Sequence, residues 1–440
     1  MEIELPDFSK ANLLVVGDIM LDRYWFGSFL PDRGVFENSI PIMKIDSVAE
    51  CPGGAANVAM HAGSLGSSVY LVGFTGIDCE SDILNNKLSI NNITCDFIKV
   101  PKYSTILKLR VISENKKIFR LDFEKNFFDL DVHDELLNHV KLFFSRVNIM
   151  ILSDYSKGTL KNVRELILLA KKFNIPVLVD PKGNDFLRYS GATLLTPNLL
   201  EFESVVGSCK SEKMLIDSGM KLIRDCNLSA LLITRSDKGM SLLQVDKGPL
   251  HFPSYTEVVY DDTGAGDVVI AILAASLASG NDLEKSCFLS NIFAGIQIKR
   301  MRTSSMCYND VNVGFYKSNK INFGIVCEKM LKRGIKIARK CGETVVMVSG
   351  FFNILNAGHI NFFNNVKKMG DRVIVAVEDS ICSFEKNVCV NLNNVNSLKS
   401  RMLSLSLLNL IDWVISFESY SELRSLVSKI SPDFFVVYKE

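Results

Sequence analysis

One pattern constrains this chain more than any other. Short, continuous apolar runs recur, and each stops at a glycine or a small polar residue. Leu13-Leu14-Val15-Val16 ends at Gly17-Asp18, and the same shape returns at 69–73, 149–154, 177–180, 194–198 and 231–234. A run without polar alternation is what a strand covered on both faces of a parallel sheet requires. Helical spacing of apolar residues fills 163–173 and 211–226. Alternating strands and helices predict an α/β layered domain. Such sheets bind ligands beyond the carboxyl ends of their strands, which is where Asp18, Asp154, Asp180 and Asn198 fall.

A chain of 440 residues has room for two or three domains. Its 50 Lys and Arg against 49 Asp and Glu leave a formal charge of +1, so no general attraction to nucleic acid or an anionic membrane is expected. The longest apolar run, 268–280, is shorter than the ~20 residues of a spanning helix. The acidic start Met1-Glu2-Ile3-Glu4 lacks the features of a signal peptide, and a cytoplasmic protein is expected. Eleven cysteines without a CxxC pair read as buried thiols, and five scattered histidines do not suggest a zinc site.

Residues 108–113 and 117–122 read as a hairpin which, with 20–45, predicts a small accessory sheet or lid. The pattern fades over 306–322, taken as a linker. A helix is then expected over 325–340, with strands at 345–350 and 373–377 opening a second α/β unit. The expected division is 1–305, a 306–322 linker and 323–440.

Two glycine clusters carry chemistry. Gly53-Gly54-Ala55-Ala56-Asn57 leads into a helix, where small residues admit a ligand to the backbone and a helix start attracts anions. The plainer reading of such a cluster is a tight turn. Asp261-Asp262-Thr263-Gly264-Ala265-Gly266-Asp267 also runs into an apolar helix. There, backbone N–H groups of Gly264, Ala265 and Gly266 can cradle a transferring phosphoryl group, and Asp267 can take the proton of an attacking hydroxyl. The plainer reading is an N-terminal carboxylate on a glycine-rich turn.

Both clusters resemble the two signatures of ribokinase-like sugar kinases. Residues 16–25, 152–158, 180–183, 195–203 and 234–240 further resemble the kinase half of the bifunctional heptose 7-phosphate kinase/heptose 1-phosphate adenylyltransferase family. The resemblance implies a ribokinase-like layered α/β domain with a small β lid, followed by a truncated Rossmann-like nucleotidyltransferase domain. It implies Asp267 as base and Gly264, Ala265 and Gly266 as anion hole. Asn198, Leu199, Leu200 and Glu201 would meet ATP phosphates, with Glu201 on Mg²⁺. Thr234, Gly239 and Asn291 would line the ATP site. Asp18, Gly53, Gly54, Asn57, Arg33, Glu37, Lys108 and Arg110 would contact the sugar phosphate. The implied substrates are ATP·Mg²⁺ and D-glycero-β-D-manno-heptose 7-phosphate, phosphorylated at O1 on the route to ADP-heptose for the lipopolysaccharide core, in a homodimer. Against the family pattern, the usual Ser-Pro before Glu37 is absent, and Lys299 and Arg302 replace glycines.

Gly350 to His359 is similar to the HxGH signature of cytidylyltransferase-like enzymes, with Asn356, Gly358 and His359 as the nucleotide site. Asn356 stands at the first histidine position and Asn353 at the usual upstream aspartate. Asn donates a hydrogen bond but carries no positive charge. Lys386 remains of a denser basic run, and the family pattern continues past Val437-Tyr438-Lys439-Glu440. Three readings stay open: a kinase with a weakened adenylyltransferase, a fully bifunctional enzyme, or a second domain that is structural or dimerising.

Overall fold

A computed structural model describes residues 5–29, 36–37, 40–89, 92–114, 116–130, 133–254, 264–298, 324–340, 342–379, 396–408 and 410–438. Contacts divide the chain into two units, 1–308 and 309–440. Arg33, residues 261–263, Lys299, Arg302, the 306–322 linker and Lys386 lie outside the described residues, as does the side chain of Glu37.

The first unit begins with β1 (Asn12–Gly17), β2 (Ile19–Phe29), the short β3 (Phe36–Glu37) and β4 (Ile40–Pro41), and β5 (Met43–Gly54). It continues through β6 (Ser68–Thr75), β7 (Ile93–Lys99), β8 (Ile106–Ser113), β9 (Lys116–Phe123), β10 (Ile149–Ser153), β11 (Val177–Asp180) and β12 (Leu194–Leu195). Its last strands are β13 (Ala230–Thr234), β14 (Met240–Gln244) and β15 (Leu250–Phe252). Its helices are α1 (Ala55–Ser64), α2 (Cys79–Leu88), α3 (His133–Lys141), α4 (Val163–Lys172), α5 (Leu199–Val206), α6 (Glu212–Asp225), α7 (Ala265–Ala278) and α8 (Leu283–Ile298).

Nine strands form one sheet in the order β15-β14-β13-β12-β11-β10-β1-β6-β7. Pairing is parallel from β7 to β13 and antiparallel over β14 and β15. Alternate residues of β1 serve opposite faces. Leu14 and Val16 join the core that includes Leu166, Ile167 and Leu222 of α4 and α6, and the intervening Leu13 and Val15 are equally buried. Helix α7 is apolar around its whole circumference, and Val268 to Ser276 are all buried. Its 14 residues make it a core helix, and no helix among the described residues is long and apolar enough to cross a membrane.

The chain order changes direction at β1, which has β6 on one side and β10 on the other. This switch point opens a crevice at the strands' carboxyl ends. Strand β2 leaves β1 there and forms the lid, a four-stranded sheet in the order β5-β2-β8-β9. The hairpin expected at 108–122 is β8 and β9, paired antiparallel.

The second unit has β16 (Gly324–Ile325), α9 (Glu328–Lys340), β17 (Val345–Gly350), α10 (Ala357–Lys367), β18 (Arg372–Glu378), α11 (Leu398–Ser406), β19 (Trp413–Phe417), α12 (Tyr420–Ile430) and β20 (Phe434–Val437). All pairs are parallel, in the order β16-β19-β18-β17-β20. Val345 and Met347 join one core with Leu331 and Leu426; Val346 and Val348 join the other with Phe363 and Leu405. This is a Rossmann-like layer arrangement. Phe363 is fully buried, so Phe363→Ala should lower this unit's stability by about 3–5 kcal/mol, seen as an earlier loss of amide-exchange protection in β17 and β18 under urea.

Candidate functional site

Asp18 follows β1 directly and is completely buried. Its carboxylate accepts the backbone N–H groups of Tyr155 (2.9 Å), Lys157 (3.0 Å) and Thr159 (3.1 Å). Its carbonyl accepts the N–H of Ala55 at 3.0 Å, fixing the start of α1. Burial and the neighbouring Asp154 push the Asp18 carboxyl upward, and the amide bonds oppose that shift. The Asp18 carboxylate anchors the 155–159 loop.

Four residues further on, Asp22 lies on β2 within the lid sheet. It is buried and meets Arg110 Nη1 at 2.5 Å. A Cβ on Gly53 would stand 2.8 Å from Asp22 Oδ2, so the glycine admits this carboxylate. Strands β2 and β8 pair Asp22 with Lys108 and Tyr24 with Arg110, putting these polar side chains on one face of the lid. Lys108 lies 3.7 Å from Asp122 and 3.8 Å from Glu124, and burial lowers its ammonium.

Asp267 lies in the first turn of α7, behind Gly264, which takes a left-handed conformation (φ 81°). Asn57 Nδ2 donates to its Oδ2 at 2.6 Å, and the Tyr155 hydroxyl donates to its Oδ1 at 2.7 Å. Burial raises its carboxyl to about 6, against the lowering effect of those two hydrogen bonds, while nearby Asp22 raises it further. A Cβ on Gly266 would meet no atom within 4 Å, so this helix start presents bare backbone. The buried Asn57 Oδ1 has no hydrogen-bond partner among the described residues.

On the other side, Asn198 caps α5. Asn198 Oδ1 accepts the N–H of Glu201 at 2.9 Å, and Glu201 Oε2 accepts the N–H of Asn198 at 3.1 Å. Glu201 Oε1 meets Lys182 Nζ at 2.7 Å. Leu199 follows in the first turn, and Leu200 is largely exposed. Asn198 bridges to Thr234 at the end of β13. Gly239 closes the turn into β14 against the backbone of Phe252 and Pro253, and Asn291 Nδ2 donates to Pro253 O at 2.8 Å. Asp180, at the end of β11, is pushed well upward by burial and by the carboxylates of Asp267 and Glu201.

The structure thus links Asp22, Asp267, Asn57, Asp180, Glu201 and Thr234 along one rim. Among the described residues no group of three or more His, Cys, Asp or Glu could hold a metal. Mg²⁺ bound mainly through nucleotide phosphates needs only one or two carboxylates. The neighbouring carboxyl groups of Asp180 and Glu201 would fit such a cation. Sequence reasoning did not single out Asp22, Tyr155 or Lys182. Asp22 was detectable as the polar residue one strand pair beyond Asp18.

In the second unit, Asn356 caps α10. Its Oδ1 accepts the His359 N–H at 3.2 Å, and its own N–H donates to His359 Nδ1 at 3.2 Å. A neutral His359 ring then carries its proton on Nε2. Gly358 sits beside Asn356, where a Cβ would stand 3.1 Å from Oδ1. The buried His359 packs against Tyr438 and Phe352. Asn353 holds Asn396 at 2.9 Å, and Arg401 donates to the carbonyls of Phe351 and Glu378.

This fold and this rim define a sugar kinase joined to a nucleotidyltransferase-like unit. The pfkB family carbohydrate kinase model matches residues 10–310, and the cytidylyltransferase-like model matches 347–440. The first unit also resembles ribokinase of Arabidopsis thaliana complexed with ribose and ATP (TM-score 0.55, 19% identity, 69% of this chain and 98% of that one). It resembles phosphofructokinase-2 of Escherichia coli as well (TM-score 0.58, 16% identity, 70% and 99%). The bifunctional protein HldE of Pectobacterium carotovorum is 47% identical over 436 residues, 99% of this chain and 90% of the relative, and HldE of Escherichia coli matches equally. The chain belongs to the family of these bifunctional HldE proteins, with a pfkB family carbohydrate kinase part and a cytidylyltransferase-like part.

Asp18→Asn places an amide against N–H donors and leaves at least one unsatisfied. It should cost about 1–3 kcal/mol of first-unit stability, measured by urea denaturation.

Proposed function

We propose that the first unit transfers the γ-phosphoryl group of ATP to O1 of D-glycero-β-D-manno-heptose 7-phosphate, giving the 1,7-bisphosphate. The observation that carries this reading is Asp267, buried at the head of α7 with both carboxylate oxygens fixed by Asn57 and Tyr155. The O1 hydroxyl gives its proton to Asp267 as its oxygen attacks phosphorus, and ADP departs. Gly264, Ala265 and Gly266 offer backbone N–H groups to the charge that develops, aided by the helix dipole. Asn57 Oδ1, without a partner among the described residues, suits a sugar hydroxyl. Lys108 and Arg110 supply the cations a sugar phosphate needs, joined by Arg33 and Glu37 in the family pattern. Asn198 to Glu201, Thr234, Gly239 and Asn291 receive the nucleotide. Mg²⁺ held near Glu201 and Asp180 would neutralise phosphate charge.

For the second unit we propose adenylyl transfer from ATP to heptose 1-phosphate, slowed by Asn356. Asn356 is committed to capping α10 and cannot supply the positive charge of a histidine. A fully active second unit is the alternative, favoured by 47% identity to proteins named bifunctional across 99% of the chain. Removal of the 7-phosphate between the steps requires a separate phosphatase. The apolar lid face, with Phe119, Leu121, Phe123 and Val48 exposed, suits the homodimer the family suggests.

Asp267→Asn should lower kcat by about 10²–10⁴-fold, with ATP binding by calorimetry retained. Undiminished turnover would remove Asp267 from the base role. In the unsubstituted protein, kcat/KM should fall as pH drops through about 6, because Asp267 is then protonated. Asn356→His should raise pyrophosphate release from ATP and heptose 1-phosphate by tenfold or more, ~1.4 kcal/mol of transition-state stabilisation. No gain would support a second unit already at full rate.

A further inference from the structure

We propose that Tyr155 is a positioning residue for phosphoryl transfer: its hydroxyl orients the Asp267 carboxylate toward the acceptor hydroxyl, and Asp18 orients Tyr155 through the backbone of the 155–159 loop. The inference rests on Asp267 acting as base.

Three segments distant in sequence meet at this point. Asp18 lies 137 residues before Tyr155, and Asp267 lies 112 residues after it. Within the loop, Ser156 and Gly158 have positive φ (55° and 108°). Such alternation turns the N–H groups of 155, 157 and 159 to one side, where Asp18 receives all three. The intervening Ser156 N–H donates to Asp154 Oδ1 at 2.7 Å. The second Asp154 oxygen accepts the Tyr189 hydroxyl at 2.7 Å. Two buried carboxylates therefore hold the loop backbone from both sides. A non-glycine residue such as Ser156 is strained in the left-handed region, and these charge-assisted bonds sustain it.

The loop's product is the location of one phenol. Tyr155 donates to Asp267 Oδ1 as Asn57 donates to Oδ2. Two donors on two oxygens stop the carboxylate from rotating, and each oxygen keeps a lone pair for the incoming proton. Burial, with Asp267 and Asp180 nearby, pushes the Tyr155 phenol well above its ordinary range, so it remains a donor. During transfer the acceptor O–H bond breaks and its proton bonds to Asp267. The freed oxygen pair forms the new P–O bond, the bond to the β-phosphate oxygen breaks, and ADP leaves with that pair. Tyr155 keeps its own proton throughout.

The charges around Asp267 are set by Asp22 from β2, Asp180 from β11 and Tyr155 itself. His61 lies one turn beyond Asn57 on α1, the helix that packs on α7. With these unchanged, loss of the phenol hydroxyl removes a donor to the ionised form and raises the Asp267 pKa.

The test is the pH profile of kinase kcat/KM for the full chain, with ATP·Mg²⁺ and heptose 7-phosphate. Tyr155→Phe should lower kcat by about 10–100-fold and move the acid limb to higher pH. A fluorotyrosine incorporated at 155 preserves the shape and strengthens the donor, and should move the limb to lower pH. An unmoved limb in both variants, whether or not kcat falls uniformly, would overturn the proposal. Asp267→Asn in the same series separates the two readings. If it is inactive while both Tyr155 variants keep the original limb, the base reading stands and the positioning inference fails. If it remains active, the base reading itself fails.

Discussion

A single buried carboxylate, Asp18, is the constraint on which the kinase crevice depends. It stands where β1 ends and the lid begins. Its own backbone bonds the end of β10 and the start of α1, and its side chain gathers three amides of the 155–159 loop. An ion in that position is costly to bury unless every oxygen is occupied. Backbone and side chain thus act together: the start of α1 is fixed by the Asp18 carbonyl, and the loop bearing Tyr155 by its carboxylate.

The rim beyond it carries concentrated negative charge. Asp22, Asp180, Glu201 and Asp267 face a crevice whose described cations include Arg110, Lys108 and Lys182. Burial raises Asp180 and Asp267, and neighbouring carboxylates add to the shift. That arrangement is poor for stability and suited to a reaction that delivers a cation and a proton to the same place. A carboxyl raised to about 6 remains mostly ionised at neutral pH, yet is basic enough to accept a hydroxyl proton.

Much of the scaffold was legible because buried parallel strands announce themselves. The apolar runs at 149–153 and 177–180 are β10 and β11, and the helical spacing at 211–226 is α6 with its caps Ser211 and Cys226. Two boundaries moved for local reasons. The run at 194–198 is a continuous strand only over Leu194–Leu195, with an isolated bridge from Asn198 to Thr234, because Pro197 has no N–H and Asn198 turns to cap α5. The helix expected from 325 starts at Glu328, because Gly324 and Ile325 pair with β19. Asn198 and Glu201 were read as phosphate contacts, yet their own side chains form a capping box, a local use that spacing cannot separate from a ligand role. Asp18 and Tyr155 were harder. Their partners lie more than a hundred residues away, so neither periodicity nor a local motif reveals the bonds between them.

The most direct test of the central claim is phosphorus NMR of a single reaction containing the full chain, ATP·Mg²⁺ and heptose 7-phosphate. The account predicts a new anomeric phosphate resonance on the sugar that grows in step with ADP, while the 7-phosphate signal persists. ADP appearing together with inorganic phosphate, with the sugar unchanged, would contradict it.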